Sequence, residues 1–199
     1  MTAARLGDDI LGWARLAGYG WDAETGALTT RLDGCQTELS VRAAANGRFE
    51  LHEDIDGDRR MLLYALNLDV VERHLFALLG DDIRAQLDLP FLELPAAATD
   101  VAGGYSLGPT ARGFQTLVRI GAGPVAAAPR PGTSLGTLVP LSHLLDLSIS
   151  ELKQSFLHQD GEPLIEGDRY RRRPPTTLDD TPGKADPAGR TRRDRPQLG

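Results

Sequence analysis

The chain has 199 residues, 41% hydrophobic and 25% charged, with a formal net charge of −6, which suits one globular domain with a real core. No apolar run approaches the roughly 18 residues that a membrane helix needs, and the single cysteine, Cys35, excludes an internal disulfide framework or a multi-cysteine metal site. Acidic residues outnumber basic ones 22 to 13 before position 166, whereas 6 acidic and 9 basic residues follow; the acidic body argues against nucleic acid and suits a basic protein partner.

The N-terminal residues carry no apolar stretch ahead of Asp8-Asp9, so no signal peptide is expected and a cytoplasmic location follows. A first helix is predicted over residues 8–17. Asp8 or Asp9 caps it, Ile10, Leu11, Ala14 and Ala17 share one face, and Gly18 and Gly20 end it. Strands follow at 28–32, 37–43, 48–55 and 60–66, with alternation plain in Phe49 and Leu51 against Glu50 and His52. Glu24-Thr25-Gly26 and Asp56-Gly57-Asp58 read as turns, and Asn46-Gly47 as a two-residue hairpin. This makes an antiparallel meander of three to four strands.

A second helix is predicted over 69–79. Asp69 and Glu72 resemble a capping box, and Val71, Leu75, Leu78 and Leu79 form its buried stripe. Gly80 interrupts it, and Asp81 caps a further turn through Ile83 and Leu87. A Pro/Ala-rich connection over 89–98 leads to a glycine loop at 103–108. Residues 114–120 and 124–128 read as a hairpin joined by Gly121-Ala122-Gly123. Final helices are expected over 141–145 and 149–157, the latter opened by the capping box Ser148/Glu151.

Strands grouped between helices indicate an α+β fold, an antiparallel sheet of five to six strands with helices mainly on one face. The other face or an edge stays free for a partner. The domain is expected to span 1–165. Beyond it the composition turns to Arg, Pro, Asp, Thr and Gly, too poor in apolar residues to offset ordering entropy, so 166–199 reads as a disordered Arg/Pro-rich tail.

Catalytic signals are thin. Gly132-Thr133-Ser134-Leu135-Gly136 fits the G-x-S-x-G elbow of serine hydrolases, with Asp146 and His158 following in order. Yet Pro129-Arg130-Pro131 stands where a strand is required, and the three members lie too close in sequence for that fold. His52, His74, His143 and His158 lack metal-helix spacing, so no metal or cofactor is expected. Cys35 has acidic neighbours instead of an activating base. Gly103-Gly104-Tyr105-Ser106-Leu107-Gly108 has no P-loop lysine. As bare backbone flanked by Asp100 and Tyr105, it reads either as an ordinary turn or as a probe for a partner's pocket.

Five motifs occur in order: Trp13-Ala14-Arg15-Leu16-Ala17-Gly18-Tyr19, Phe76-Ala77-Leu78-Leu79-Gly80-Asp81-Asp82-Ile83-Arg84, Gly104-Tyr105-Ser106-Leu107-Gly108, Gly113-Phe114-Gln115-Thr116-Leu117 and Leu138-Val139-Pro140-Leu141-Ser142-His143-Leu144-Leu145. Together they resemble the actinobacterial immunity-protein family of the TNT (necrotizing NAD-glycohydrolase toxin) immunity-factor type, over residues 8–165. The resemblance implies a non-enzymatic antitoxin that binds a cognate secreted toxin one to one and occludes its NAD(P) site. By the same resemblance, toxin contacts map to Arg15 on the first helix, Asp81 with its neighbour Asp82 after the second, and Gly103 and Gly104 in the glycine loop; Tyr105 joins them as the candidate anchor of the probe reading. The chain alone is expected to be a monomer. A secretion chaperone with a similar acidic face and a small hydrolase using Ser134 are the alternatives.

Overall fold

The computed structural model of the chain describes residues 4–32, 34–44, 46–130 and 134–172. The expected meander forms and is longer than expected. β1 (Gly20–Asp22), β2 (Ala27–Leu32), β3 (Cys35–Ala43), β4 (Phe49–Ile55) and β5 (Asp58–Ala65) pair in sequence order, all antiparallel. β6 (Tyr105–Leu107), β7 (Phe114–Arg119) and β8 (Gly123–Pro129) form a second meander. The two join where β5 meets β8 at Tyr64↔Ala127 and Ala65↔Ala126. The result is one eight-stranded sheet in the order β1-β2-β3-β4-β5-β8-β7-β6, larger than the five to six strands expected. Its two edges, β1 and β6, are three residues each.

Turn chemistry explains the registers. Ile55 pairs with Asp58, and the two residues between them, Asp56 and Gly57, have φ of 52° and 93°. This is the two-residue hairpin, with positive φ at both central positions. Asn46-Gly47 lies in a wider turn, because Ala44 N–H donates to Arg48 carbonyl (2.7 Å) and three residues separate them. After β1, Asp22 Oδ1 accepts from the N–H groups of Glu24 and Thr25, and Gly26 adopts φ 69°.

One face of the sheet is apolar. Leu28 faces Leu39, Leu51 faces Val41 and Leu63, and Leu117 faces Ala126, all buried. The opposite face carries Arg42 beside Glu50 and Glu50 beside Tyr64. Helices cover the apolar face. α1 (Asp8–Leu16) is capped by Gly7, not by Asp8 or Asp9; Gly7 N–H instead donates to Glu72 Oε1 (2.7 Å). Trp13 completes its buried face, with Nε1–H donating to Phe76 carbonyl at 3.0 Å.

α2 (Leu68–Gln86) runs unbroken through Gly80. Its cap is Asn67, whose side chain accepts from Val70 N–H at 3.1 Å; Asp69 lies inside the first turn and pairs with Arg73. Gly80 is there for close approach. A Cβ added to it would lie 2.5 Å from the Phe156 ring, on α4 (Ile149–Leu157). The capping box of α4 forms as expected: Ser148 Oγ accepts from Glu151 N–H, and Glu151 accepts from Ser148 N–H. α3 (Ser134–Leu144) begins earlier than expected and contains Pro140.

The end of α2 is fixed by Arg84, a fully buried arginine. Its Nε donates to Pro90 carbonyl (2.8 Å), Nη1 to the carbonyls of Phe156 and His158 (3.2 and 2.7 Å), and Nη2 to that of Gln159 (2.7 Å). One guanidinium thus gathers the connection after α2 and the open end of α4.

The ordered body also extends past 165, contrary to the expected boundary. β9 (Ile165–Glu166) and β10 (Arg169–Tyr170) form a small hairpin. It is held because Tyr170 finds partners: its ring stacks on His143 at 3.6 Å, and its hydroxyl donates to Pro95 carbonyl at 2.8 Å. The rest of the predicted tail, 173–199, lies outside the described residues.

Two substitutions test this packing by urea unfolding. Gly80→Ala gains about 1 kcal/mol of helix propensity but overpacks against Phe156 at a cost of about 1–3 kcal/mol. A lowered midpoint is expected; a raised one would refute the close approach. Arg84→Met leaves the carbonyls of Pro90, Phe156 and Gln159 without this donor, whereas His158 carbonyl keeps the N–H of Gly161; at about 1–3 kcal/mol for each that stays dry, the change should cost at least about 3 kcal/mol. A loss below about 1 kcal/mol would refute its role.

Candidate functional site

The glycine loop projects from the edge of the sheet and is gripped from below by the end of α3. Three side chains within five residues hold three successive points of it. Ser142 Oγ donates to Val139 carbonyl (2.6 Å) and accepts from the N–H of Ala102 (3.0 Å). His143 Nε2 lies 2.7 Å from Asp100 carbonyl; since a carbonyl only accepts, Nε2 carries the proton. Asp146 Oδ1 accepts from Tyr105 hydroxyl at 3.2 Å. From within the chain, Tyr105 N–H donates to Ala102 carbonyl (3.1 Å) and Ile120 N–H to Gly104 carbonyl (2.8 Å).

On that footing the tip is bare backbone. Gly103 is exposed, and no atom lies within 4 Å of a Cβ built on either Gly103 or Gly104. Gly104 has φ 91°, a conformation that favours glycine. Tyr105 differs from the expected exposed anchor. Its side chain turns inward to Asp146 and is buried, with Arg119 5.6 Å from its ring centre. Burial, then the Asp146 charge, pushes its hydroxyl up to about 12. It supports the loop from beneath. Beside Gly103 opens a cleft of about 630 Å³, bounded by Asp100, His143, Asp146 and the β10 strand.

Asp81 and Asp82 are adjacent but face different surroundings. Asp82 Oδ2 accepts from Tyr19 hydroxyl at 3.0 Å, just past the end of α1. Asp81 borders a second groove of about 330 Å³ with His74, Leu78, Phe91, Leu94 and Pro140. Among the described residues its Oδ1 is the buried side-chain oxygen with no hydrogen-bond partner. Burial and the Asp82 charge raise its pKa to about 6, against the pull of Arg84. His74 offers no charge, because burial lowers its pKa to about 4. Such an under-satisfied acid at a groove is a functional-site signal. Arg15, in the last turn of α1, is exposed.

The six predicted residues thus fall into two groups. Arg15 and the acidic pair lie toward the C-terminal half of α2. The glycine loop lies toward its N-terminal half, where Arg73 Nη1 donates to the carbonyls of Leu144 and Leu147. Eight residues of α2 separate Arg73 from Asp81, about 12 Å of helix axis. Residues 91–95 connect the groups, with 91–94 lining the Asp81 groove and Pro95 the glycine-loop cleft. Phe91, 69% exposed beside Asp81, went unrecognised in the sequence because it stands in an irregular stretch with no period to mark its direction. An aromatic after Pro90, outside any apolar stripe, is the signal that was there.

The hydrolase elbow does not assemble. Ser134 is buried in the first turn of α3 and donates to Gln115 Oε1 at 2.9 Å, Asp146 is engaged by Tyr105, and His158 Nδ1 accepts from Asp160 N–H; Gly132 and Thr133 lie outside the described residues. Cys35 is hydrogen-bonded with Asp56, which raises its thiol pKa, the opposite of activation. Among the described residues no group of three or more His, Cys, Asp or Glu side chains is placed to hold a metal ion.

A family model described as Immunity protein 61 matches residues 13–164. The chain is similar to the "Immunity factor for TNT" of Mycobacterium tuberculosis (strain ATCC 25618 / H37Rv) and to its homolog from Mycobacterium bovis (strain BCG / Pasteur 1173P2). Each is 27% identical over 167 residues, covering 80% of this chain and 92% of the relative. A solved structure described as Rv3902c from M. tuberculosis, 26% identical, matches with a TM-score of 0.69 over 80% of this chain and 92% of that one.

Asp81 yields a stability test. Its folded pKa lies above the unfolded value of 3.8, so the native state holds the extra proton between about pH 4 and 6. Stability is therefore lost as pH rises through that window. His74, depressed from 6.5 to about 4, acts with the opposite sign. Asp81→Asn removes the acid's share. It should raise unfolding free energy at pH 7 by about 1 kcal/mol, after discounting for partial exposure, with little change near pH 3.5. Urea titrations at both pH values check this; a destabilised variant at pH 7 would contradict it.

Proposed function

The chain belongs to the Immunity protein 61 family, and from that premise we propose that it neutralises a cognate secreted toxin, an NAD(P) glycohydrolase of the TNT type, by occluding the toxin's active site. It acts by binding and not by turnover. The observation that carries this reading is the Gly103-Gly104 tip, side-chain-free, with Gly103 exposed and Gly104 half-buried, on a base pinned by Ser142, His143 and Asp146. A pinned loop loses little entropy on binding, and glycine lets backbone approach a narrow pocket closely.

Asp81 is the charged contact of the proposal. Its buried Oδ1 lacks an internal donor while the residue borders the groove, and a cationic or N–H group of the toxin entering that groove pairs with the carboxylate. Asp82 is already engaged by Tyr19 and serves at the margin, as does Arg15. Tyr105 contributes from beneath the loop. Residues 91–95 link the two groups, and one interface of about 800 Å² per partner can take in both. The acidic body favours encounter with a basic toxin surface. The complex is one to one, formed in the cytoplasm by a protein that is otherwise a monomer. Among the described residues no helix is long and apolar enough to cross a membrane.

The test is inhibition of the toxin's NAD(P) hydrolysis by purified variants. Gly103→Trp is the better loop probe than a change at Gly104, whose positive φ strains any side chain. It should fold as the parent does and inhibit at least tenfold more weakly. Asp81→Lys should cost about 2–5 kcal/mol of binding, as expected when one partner of a buried charged contact is lost. Undiminished inhibition by both folded variants would reject the site.

A further inference from the structure

The family match ends at residue 164, yet the chain continues into the β9–β10 hairpin, which returns to the base of the glycine loop. Arg171 N–H donates to Leu164 carbonyl at 3.0 Å, closing the open end of the hairpin. Tyr170 then lies flat on the His143 imidazole, 3.6 Å between ring centres and 11° between planes. The face of His143 is thereby covered while its edge holds Asp100 carbonyl at 2.7 Å. The Tyr170 hydroxyl reaches Pro95 carbonyl, on the strand of chain that enters the loop. Asp100 in turn closes the 3₁₀ turn before the loop, its Oδ2 accepting from Ala97 N–H at 3.1 Å. Tyr170 therefore bears on both ends of residues 95–100.

We propose that this hairpin is a brace that sets the conformation of the glycine loop, with Tyr170, acting through His143 and Pro95, as a positioning residue for toxin binding. The binding half of this proposal rests on the function argued above; the brace itself is a property of the free protein. A stacked ring pair restricts His143 to one orientation, and His143 restricts Asp100. The loop is then presented in one conformation instead of many, which favours the bound state by lowering the ordering cost.

Two measurements on the full chain separate the halves. Amide hydrogen exchange of the free protein reads the brace at Ala102 and Tyr105, whose N–H groups are bonded within the loop base. Tyr170→Ala should speed exchange at these two amides about tenfold and leave those of β3 to β5 unchanged. Tyr170→Phe keeps the stack, loses only the bond to Pro95, and should stay within about threefold of the parent. Toxin titration should show the same order, with about a tenfold weaker dissociation constant for Tyr170→Ala and near-parent binding for Tyr170→Phe. Unchanged exchange at the loop, or a uniform rise across the whole sheet, overturns the brace. Unchanged binding by Tyr170→Ala overturns the positioning role. Should the parent chain itself not bind such a toxin, the functional reading falls while the exchange result still decides the brace.

Discussion

The constraint on which the rest of the molecule depends is the buried guanidinium of Arg84. Helix α4 ends in an extended residue, His158, and Asp160 N–H turns to the His158 ring, so the Phe156 carbonyl has no donor from the following turn. The connection after α2 is irregular and has the same problem at Pro90. Arg84 supplies donors to both in one rigid planar group. This permits α2 to end beside α4 with Gly80 against Phe156, and starts residues 91–95 in a fixed direction. Those residues line the Asp81 groove and then reach the glycine-loop cleft. Remove the donor and the two surfaces lose their common reference.

Much of this was legible from the sequence. Strands β2 to β5 declare themselves through alternation and turn residues, and Ser148/Glu151 marks the last helix because the capping box is a local exchange of two hydrogen bonds. What was misread depends on partners far along the chain. Gly80 looks like a breaker to local propensity, but the cost of glycine in a helix, about 1 kcal/mol, is outweighed by the contact with Phe156, which lies 76 positions later. Glu72 looks like a capping residue and is instead drawn to Gly7. The sheet is larger than its sequence pattern suggests because the two edge strands, β1 and β6, are three residues each, too short for alternation to mark them. Tyr170 stands in a stretch with too few apolar residues to offset ordering entropy, which reads as a tail; its two partners, His143 and Pro95, cannot be seen from composition.

The same division holds at the candidate site. The loop and the acidic pair were found through ordered motifs, and the structure gives a physical reason why two of those motifs travel together. Ser142 and His143 of one motif hold Ala102 and Asp100 at the entrance to the other. Sequence alone left Asp81 and Asp82 equivalent. Their surroundings separate them, one carboxylate satisfied by Tyr19 and the other left short of a donor. The candidate site thus combines a loop pinned at its base with an under-satisfied acid, and the two offer different things: shape from the first, an acceptor for a hydrogen bond from the second.

An eight-stranded open sheet has two unprotected borders, and here each is only three residues long. β1 ends in the turn at Asp22, and β6 is followed at once by Gly108-Pro109, where proline has no N–H to offer. Another copy of the chain, or a half-folded neighbour, finds too few free backbone groups to extend the ladder. The architecture therefore limits strand-to-strand aggregation, the hazard that a wide sheet would otherwise bring to a crowded compartment.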